Sequence, residues 1–472
     1  MKGRTSEEQR LLDAVCGYGQ EHILRFWDEL DDSGKDMLIS DLRKIDFNLV
    51  SELKSILRDS EHRIRLVKQP DVITLPEISG DYRNVAEASE AGESLIADSR
   101  VAVFTAAGGQ SSRLGLDEPK GCFPVTPIKK KSLFQVHAEK IAHFQKRFGV
   151  KIPWLIMVSE TNREQTIRFF QANGFFGLDE KLVRFVDQGM LPAFDDEGKL
   201  FLREENRVFL SPNGHGGTFS ALADSGALLW LEELGIEEIF YFQVDNVLVK
   251  VLDPVFIGFH VLNRSQMSSK CLRKIRPDEK VGIFVLEEGR ITVVEYSELH
   301  TLRVEGGEDP SSLWAGNIAI HIINRVFAER LVKKKLMGAL HLPLHIANKV
   351  IPYVDSEGKR VTPQRPNGYK IETFIFDALK EAENSIILET DRREEFSPLK
   401  NISGESSPET VFRDQLLVFG RWFERAGIVV PRDENGVPVY RLEVSPLFAV
   451  DVEGFCKRIS REMQLTGDTY IE

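Results

Sequence analysis

The arrangement of apolar runs predicts an α/β protein built on a mostly parallel sheet with helices packed against it. From Val101 onward the chain shows short continuous apolar runs, VAVFTAA, WLIMVS and IFYFQVD, with helix-periodic segments between them and small residues directly after the first run. Runs of that length are buried on both faces, and their alternation with helices belongs to parallel sheets. In such sheets ligands bind beyond the carboxyl ends of the strands, so motifs that follow strands carry most of the functional information.

The 472 residues exceed one ordinary core, and composition shifts divide them into a helical N-terminal region (1–97), a central α/β domain (98–386) and a smaller C-terminal domain (387–472). In QEHILRFWDEL, Ile23, Phe26, Trp27 and Leu30 fall on one helical face; after a DDSG turn, Leu38, Leu42 and Ile45 repeat that spacing. Gln69 to Gly80, with Pro70 and Pro76, reads as an extended connector. SLFQVHAEKIAHFQKRFG and TNREQTIRFFQANGFF are helical, the second opening with a capping-box pattern at Thr161 and Glu164. VGIFVLEEGRITVVEYSEL predicts two strands joined at a glycine, and IETFIFDALKEAENSIILET a helix running into a strand.

With 61 basic and 73 acidic side chains the net charge is −12, which argues against a general affinity for polyanions such as nucleic acid. No apolar run approaches the roughly 18 residues that span a bilayer, and the charged start MKGRTSEEQR has no apolar signal core. Cysteines 16, 122, 271 and 456 are too few and too scattered for a disulfide framework or a thiolate metal site, so reduced thiols in the cytosol are expected.

TAAGGQSSRLGLDEPKGCFP, Thr105 to Pro124, follows the first strand. Small residues there let the backbone approach a base or phosphate closely and turn its amides toward anionic oxygen. A Walker loop needs lysine directly after its last glycine, where this chain has Leu116; a dinucleotide fingerprint needs GxGxxG, but Gly108 and Gly109 are adjacent. Arg113 and Lys120 remain as cations on one excursion from the strand, the first suited to bidentate contact with phosphate, the second a point charge. Asp245, closing IFYFQVD, is a candidate for a hard cation, with a turn-forming aspartate as the alternative. On these residues alone an ordinary glycine-rich connector also stays open.

Taken in order, GGQSSRLG, PKG, DQGMLPA, PNGHGG, QVDN, VVEYSE, GNIA, PNGYKIETFIF and EEFSPLKN resemble the motifs of eukaryotic-type UDP-N-acetylhexosamine pyrophosphorylases, members of the wider UDP-sugar pyrophosphorylase family, over nearly the whole chain. The resemblance implies a Rossmann-like, GT-A-like nucleotidyltransferase with a mixed sheet flanked by helices, a helical N-terminal domain and a small C-terminal α+β domain. It also implies a reaction in which UTP and a sugar 1-phosphate give a UDP-sugar and pyrophosphate, with Mg²⁺ as cofactor.

The attacking oxygen is already anionic, so this chemistry needs positioning and charge stabilisation rather than a general base. The resemblance assigns Arg113, Lys120 and Lys370 to the nucleotide phosphates and Asp245 to Mg²⁺ and the nucleotide. It assigns Ala106, Ala107, Gly108, Gly109, Gln188 and Gly214 to uridine, and Lys400 to the sugar phosphate from a C-terminal domain that closes over the site. Glu295, Tyr296, Asn317, Phe374 and Phe376 line the sugar pocket, although core packing is the alternative for the two phenylalanines. One position departs from the pattern: His215 stands in NGHGG where the acetylhexosamine enzymes have asparagine. GHG is typical of the glucose and broad-specificity branches, yet there an acidic residue usually follows, where this chain has Gly217. N-acetylglucosamine 1-phosphate is the expected sugar, with glucose or galactose 1-phosphate as alternatives. A UDP-sugar-binding protein without catalysis is the reading from another class, and retention of Arg113, Lys120, Asp245 and Lys400 argues against it.

Overall fold

In the computed structural model, which describes the chain apart from residues 61–63, 110–113, 116, 117 and 337–341, the continuous apolar runs form the centre of a sheet. β1 (Val101–Ala106), β2 (Trp154–Val158), β3 (Val183–Asp187) and β4 (Glu238–Gln243) are parallel, in the spatial order β4-β1-β2-β3. β1, β2 and β4 are buried almost throughout, whereas β3, at the sheet's edge, is buried at only two positions. β1, β2 and β4 have no polar face to give to water, and fully burying one of their large apolar side chains contributes about 1.5–3 kcal/mol.

Beyond β4 the sheet turns antiparallel. β5 (Met267–Arg273), the hairpin β6 (Ile283–Glu287) and β7 (Arg290–Val294), β8 (Ala315–Asn324) and β9 (Ile387–Glu389) complete nine strands, with β8 antiparallel to β4, β5 and β6, and β9 parallel to β5. The hairpin turns at Glu288 and Gly289, both at positive φ (52° and 77°), which matches the right-handed twist of the strands it joins. The mixed α/β sheet agrees with the expected class.

By contact, the chain divides into two compact units that cut across the boundaries expected at 97/98 and 386/387. The first comprises Met1–Arg65, Gln188–Gly217 and His341–Asp377; the second comprises Leu66–Asp187, Thr218–Leu340 and Ala378–Glu472. In the first, α1 (Ser6–Gly17), α2 (Asp32–Leu42) and α3 (Phe47–Ser60) share one apolar core with Phe194, Leu200, Leu202, Val208, Val354 and Ile371. Polar side chains join the pieces. Gln20 bonds Gly198 O (2.9 Å) and Leu200 N (3.0 Å), while buried Asp41 accepts from Arg207 Nε (2.7 Å), Arg207 Nη2 (3.0 Å) and Val208 N (3.1 Å). Such anchors carry no periodicity, so sequence spacing cannot reveal them. The second unit holds the nine-stranded sheet and a further apolar cluster around Trp422, Phe423 and Phe455 in its C-terminal part.

Local expectations differ from the structure in five places. The connector Gln69–Gly80 is not extended throughout, since Pro76–Ser79 forms a helical turn with proline at its start, where no backbone donor is needed. QEHILRFWDEL makes a 3₁₀ turn at Glu21–Leu24 rather than an α-helix, because Gln20 and His22 are committed to residues 198–200. DDSG is a helix start, with Asp31 capping α2 through Gly34 N at 2.7 Å. The Thr161–Glu164 capping box does not form. Asn162 precedes helix Arg163–Ala172 instead, and its amide is spent on Ser159 N and Ala107 O (2.9 Å each). Finally, Ile375–Glu381 is 3₁₀ rather than α-helical.

Residues 82–97 belong to the second unit because of two helical glycines. A Cβ at Gly92, in Tyr82–Ala97, would lie 1.9 Å from Pro254 O, and one at Gly258, in Pro254–Leu262, would lie 1.7 Å from Ala88 O. On an exposed helix, replacing glycine with alanine gains about 0.8–1 kcal/mol. Here the clash is with backbone and reverses the sign: Gly258→Ala should lower stability by about 1–3 kcal/mol, read as a lower denaturant midpoint. A midpoint equal to or above that of the parent chain would show that the helices separate without cost.

Candidate active site

The second unit gathers the predicted phosphate and cation residues beyond the parallel strands. β1 and β4 are hydrogen-bonded neighbours, and Val244 N extends their ladder to Ala106 O at 3.1 Å. The first residue after β1 therefore lies beside the segment after β4. Ala107 is buried and tied to β2 through Met157 O (2.8 Å), while Asn162 holds its carbonyl. At Gly109 an added Cβ would meet nothing within 4 Å among the described residues. Arg113 lies outside the described residues. Lys120, opening a 3₁₀ turn, brings Nζ to 3.4 Å from Asp245 Oδ2, and both side chains are largely buried (17% and 11% exposed).

Asp245 is positioned by main-chain and side-chain contacts that sequence reasoning did not foresee. Its carbonyl accepts from Leu399 N (2.9 Å), next to Lys400. The buried Asn246 side chain donates to Glu395 O (2.7 Å) and accepts from Ser397 N (3.0 Å) and Leu248 N (3.3 Å). Below, helix Leu133–Phe148 holds the same segment by its carbonyls: His137 Nε2 donates to Val244 O (3.0 Å), and Lys140 Nζ to Val247 O (2.6 Å) and Val249 O (2.7 Å). Burial pushes the Lys140 ammonium down to about 7, yet both bonds can be donated by the ammonium or by the neutral amine. Lys270, 1% exposed, bridges Asp253 and Glu395 at 2.5 Å each and fixes the far end of this network. The side chain of Lys400 is exposed and forms no ion pair among the described residues, while its amide bonds Ser406 O at 2.7 Å.

Two of the predicted sugar-pocket residues meet at Gly282. A Cβ there would lie 2.9 Å from Glu295 Oε1, and Gly282 O accepts from Asn317 N at 2.8 Å. Asn317 sits where the register of β5 and β8 shifts. Its Oδ1 accepts from the amide of Ala319 (2.9 Å), a non-glycine residue at φ 56° inside a strand. Bulges of this kind re-aim side chains and are common beside active sites. Tyr296, by contrast, is 48% exposed.

The first unit carries the remaining predicted residues. Gln188 Nε2 donates to Gly214 O at 2.7 Å, and the glycines of the turn that Gly214 opens are closely approached by neighbouring atoms. A Cβ at Gly214 (φ 78°) would lie 2.4 Å from Thr373 O, at Gly216 2.6 Å from Thr373 C, and at Gly217 2.0 Å from the Asn213 side-chain amide. The PNGHGG turn is thereby pressed against Thr373 and Phe374. His215 Nδ1 accepts from Ile375 N at 3.1 Å, and its ring lies near-parallel to Phe374, centroids 5.1 Å apart. Phe376 is buried and presents its edge to His215 at 5.6 Å, whereas Phe374 is half-buried. Lys370, on strand Gly368–Glu372, stands 5.1 Å over Phe209, and burial pushes its pKa down. Asn213, His345 and Asp377, which the motifs did not single out, belong to the same cluster.

A family model described as UTP–glucose-1-phosphate uridylyltransferase matches residues 51–430. The chain belongs to this family. It is 35% identical over 448 residues to the UDP-N-acetylglucosamine pyrophosphorylase of Saccharomyces cerevisiae, covering 90% of this chain and 92% of that protein. It is 36% identical to a mouse UDP-N-acetylhexosamine pyrophosphorylase-like protein 1, covering 95% and 93%. The solved uridine diphosphate N-acetylglucosamine pyrophosphorylase of Trypanosoma brucei, in complex with inhibitor, aligns with a TM-score of 0.81 at 27% identity over 97% of this chain and 95% of that one. UDP-glucose pyrophosphorylase from Leishmania major aligns at 16% identity with a TM-score of 0.60 over 90% and 87%, a likeness of fold alone.

Among the described residues no group of three or more His, Cys, Asp or Glu side chains comes together as a metal cage, and no helix is long and apolar enough to cross a membrane. The single carboxylate of Asp245 suits a cation that takes one or two protein oxygens and completes its sphere with phosphate and water, as magnesium does. Cys122, two residues from Lys120, is buried, and burial pushes its thiol up to about 12 with a smaller contribution from Glu118. The neighbouring lysine therefore does not activate it. In the folded protein at pH 8, iodoacetamide should label exposed Cys16 and spare Cys122, as read by peptide mass; equal labelling of both would refute the burial argument.

Proposed function

We propose that this chain is a UTP:sugar-1-phosphate uridylyltransferase that forms UDP-N-acetylglucosamine and pyrophosphate from UTP and N-acetylglucosamine 1-phosphate, reversibly and in the cytosol. The observation that carries the reading is the Lys120–Asp245 pair beyond adjacent parallel strands, with the Lys400 segment bonded to the main chain of Asp245. A Rossmann-like, GT-A-like layout of the central domain is part of the same reading, supported by the parallel order β4-β1-β2-β3.

In this reading the sugar phosphate oxygen attacks the α-phosphorus of UTP directly, and pyrophosphate leaves from the opposite side. No group has to remove a proton. Lys120 and Arg113 stabilise the charge that builds on the departing pyrophosphate, and Lys400 positions the attacking phosphate. Lys370, its charged form disfavoured by burial, gains most from an anionic partner, which suits a nucleotide phosphate. Asp245 is the residue that would hold Mg²⁺, whose chemistry when bound is to neutralise phosphate charge. Ala106, Ala107, Gly108, Gly109, Gln188 and Gly214 serve uridine; His215, Glu295, Asn317, Phe374 and Phe376 serve the sugar, together with exposed Tyr296.

The choice of sugar rests on the relatives named for N-acetylglucosamine, at 35% identity across nine-tenths of the chain, and on Phe374 and Phe376, whose rings suit an acetyl methyl. Glucose 1-phosphate is the second reading, favoured by His215. The acidic residue that usually follows such a histidine is absent here, and a Cβ at Gly217 would require the Asn213 side chain to move.

Pyrophosphate release from a panel of sugar 1-phosphates crossed with UTP, ATP and dTTP, with and without Mg²⁺, tests the reading. Release is expected with UTP, N-acetylglucosamine 1-phosphate and Mg²⁺ together; none with any sugar would refute the enzyme assignment. Lys120→Ala and Asp245→Asn should each lower kcat by about 10²–10³-fold, the scale of losing one preorganised charge partner. Lys400→Ala should instead lower kcat/KM for the sugar phosphate, and an unchanged value would remove Lys400 from the site.

A further inference from the structure

The uridylyltransferase reading leaves His345 and Asp377 in the first unit without a role, although they are packed against the residues assigned to the sugar. His345 enters the cluster by strand register. His345–Lys349 pairs antiparallel with Gly368–Glu372, and His345 lies opposite Glu372, two residues before Phe374. Its Nε2 donates to Asp377 Oδ2 at 2.9 Å, with the carboxylate 5% and the imidazole 18% exposed. The imidazole packs on Phe374 at 4.3 Å between centroids and 33° between planes, and meets Phe376 edge-on at 6.4 Å.

Phe374 in turn packs on His215 at 5.1 Å and 24°. The amide of Ile375 donates to His215 Nδ1 at 3.1 Å. A main-chain N–H cannot accept, so Nδ1 is the acceptor and the neutral ring carries its hydrogen on Nε2. One ring thus stands between a histidine whose orientation is set by a buried carboxylate and a histidine whose tautomer is set by the backbone.

We propose that His345 and Asp377 form a positioning pair that holds Phe374 against His215, and that this pair fixes the ring orientation with which His215 selects the sugar 1-phosphate. The inference rests on the reading of His215 and Phe374 as sugar-contacting residues. Asp377 orients His345, His345 orients Phe374, and Phe374 limits the tilt of His215. None of them touches the reacting atoms, so their loss should appear in sugar binding rather than in UTP binding or chemistry.

Steady-state kinetics of the full chain with N-acetylglucosamine 1-phosphate and UTP varied in turn provide the test. His345→Phe keeps a ring on Phe374 but loses the bond to Asp377, Asp377→Ala removes the anchor, and Asp377→Asn keeps an acceptor. The expectation is an about tenfold higher KM for the sugar phosphate in His345→Phe and Asp377→Ala. KM for UTP and kcat should stay within about twofold, the double variant should be no worse than either single one, and Asp377→Asn should restore most of the loss. Sugar KM within about twofold of the parent in both His345→Phe and Asp377→Ala, or an equal rise in KM for UTP, overturns the proposal. His215→Ala separates the two levels. If it leaves sugar KM unchanged, the assignment of His215 to the sugar fails and the inference falls with it; if it raises sugar KM while His345→Phe does not, only the positioning pair fails. Should Asp377→Ala lose its cooperative thermal transition, His345→Phe, altered at the more exposed partner, decides alone.

Discussion

The second unit depends on how the six residues after β4 are held. Asp245 can act as a charge partner only if its backbone cannot move, and a segment leaving a strand's end has no ladder to restrain it. Hydrogen bonds from both sides take the ladder's place. Asn246, the amide of Leu399, His137 and Lys140 bind the main chain from residue 244 to residue 249 and the segment at 395–399. Leaving one such buried group unpaired costs about 1–3 kcal/mol, so the arrangement has few alternatives of comparable energy. Lys400 inherits its place from this network, since its neighbour Leu399 is bonded to Asp245 itself.

A different constraint shapes the first unit: the absence of side chains. Gly214, Gly216 and Gly217 are each backed by atoms that a Cβ would overlap, and only the side chain at position 215 can project from the turn. That makes His215 a sensitive position. Its ring is packed on Phe374 and Phe376 and accepts from the Ile375 amide, so a change of size or hydrogen bonding there acts on all three. At Gly217 the overlapping atoms belong to the Asn213 side chain, so a larger residue there would have to displace it.

The two arrangements use charge economically. A chain with net charge −12 repels anions at a distance, so phosphate recognition has to rely on cations held close, in surroundings where water screens them little. Lys120 beside Asp245 and Lys370 in a half-buried strand meet that condition. Free of substrate, the ammonium of Lys120 is partly neutralised by Asp245 at 3.4 Å, which limits the cost of holding a cation there.

Periodicity and motif order alone were enough for the α/β class, the parallel strands at Val101, Trp154 and Glu238, the glycine-turned hairpin and the family. Strand burial and turn geometry are local consequences of side-chain type, and they appear in the order of the residues. Lys120 and Asp245 were legible as single candidates, but 125 positions separate them, and their contact exists because β1 and β4 are neighbours in space. The contributions of Asn246, His137, Lys140, Asn162, His345 and Asp377 were hidden for the same reason: a polar side chain bonded to a distant carbonyl, amide or ring leaves no repeat to detect. The division of the chain was hidden too, since Gln20 and Asp41 bind segments more than 160 residues away, and a unit assembled from three separate stretches has no boundary along the sequence. Patterns within a few residues record the helices and strands; which of them meet is decided by long-range packing and by the pairing that buried polar groups require.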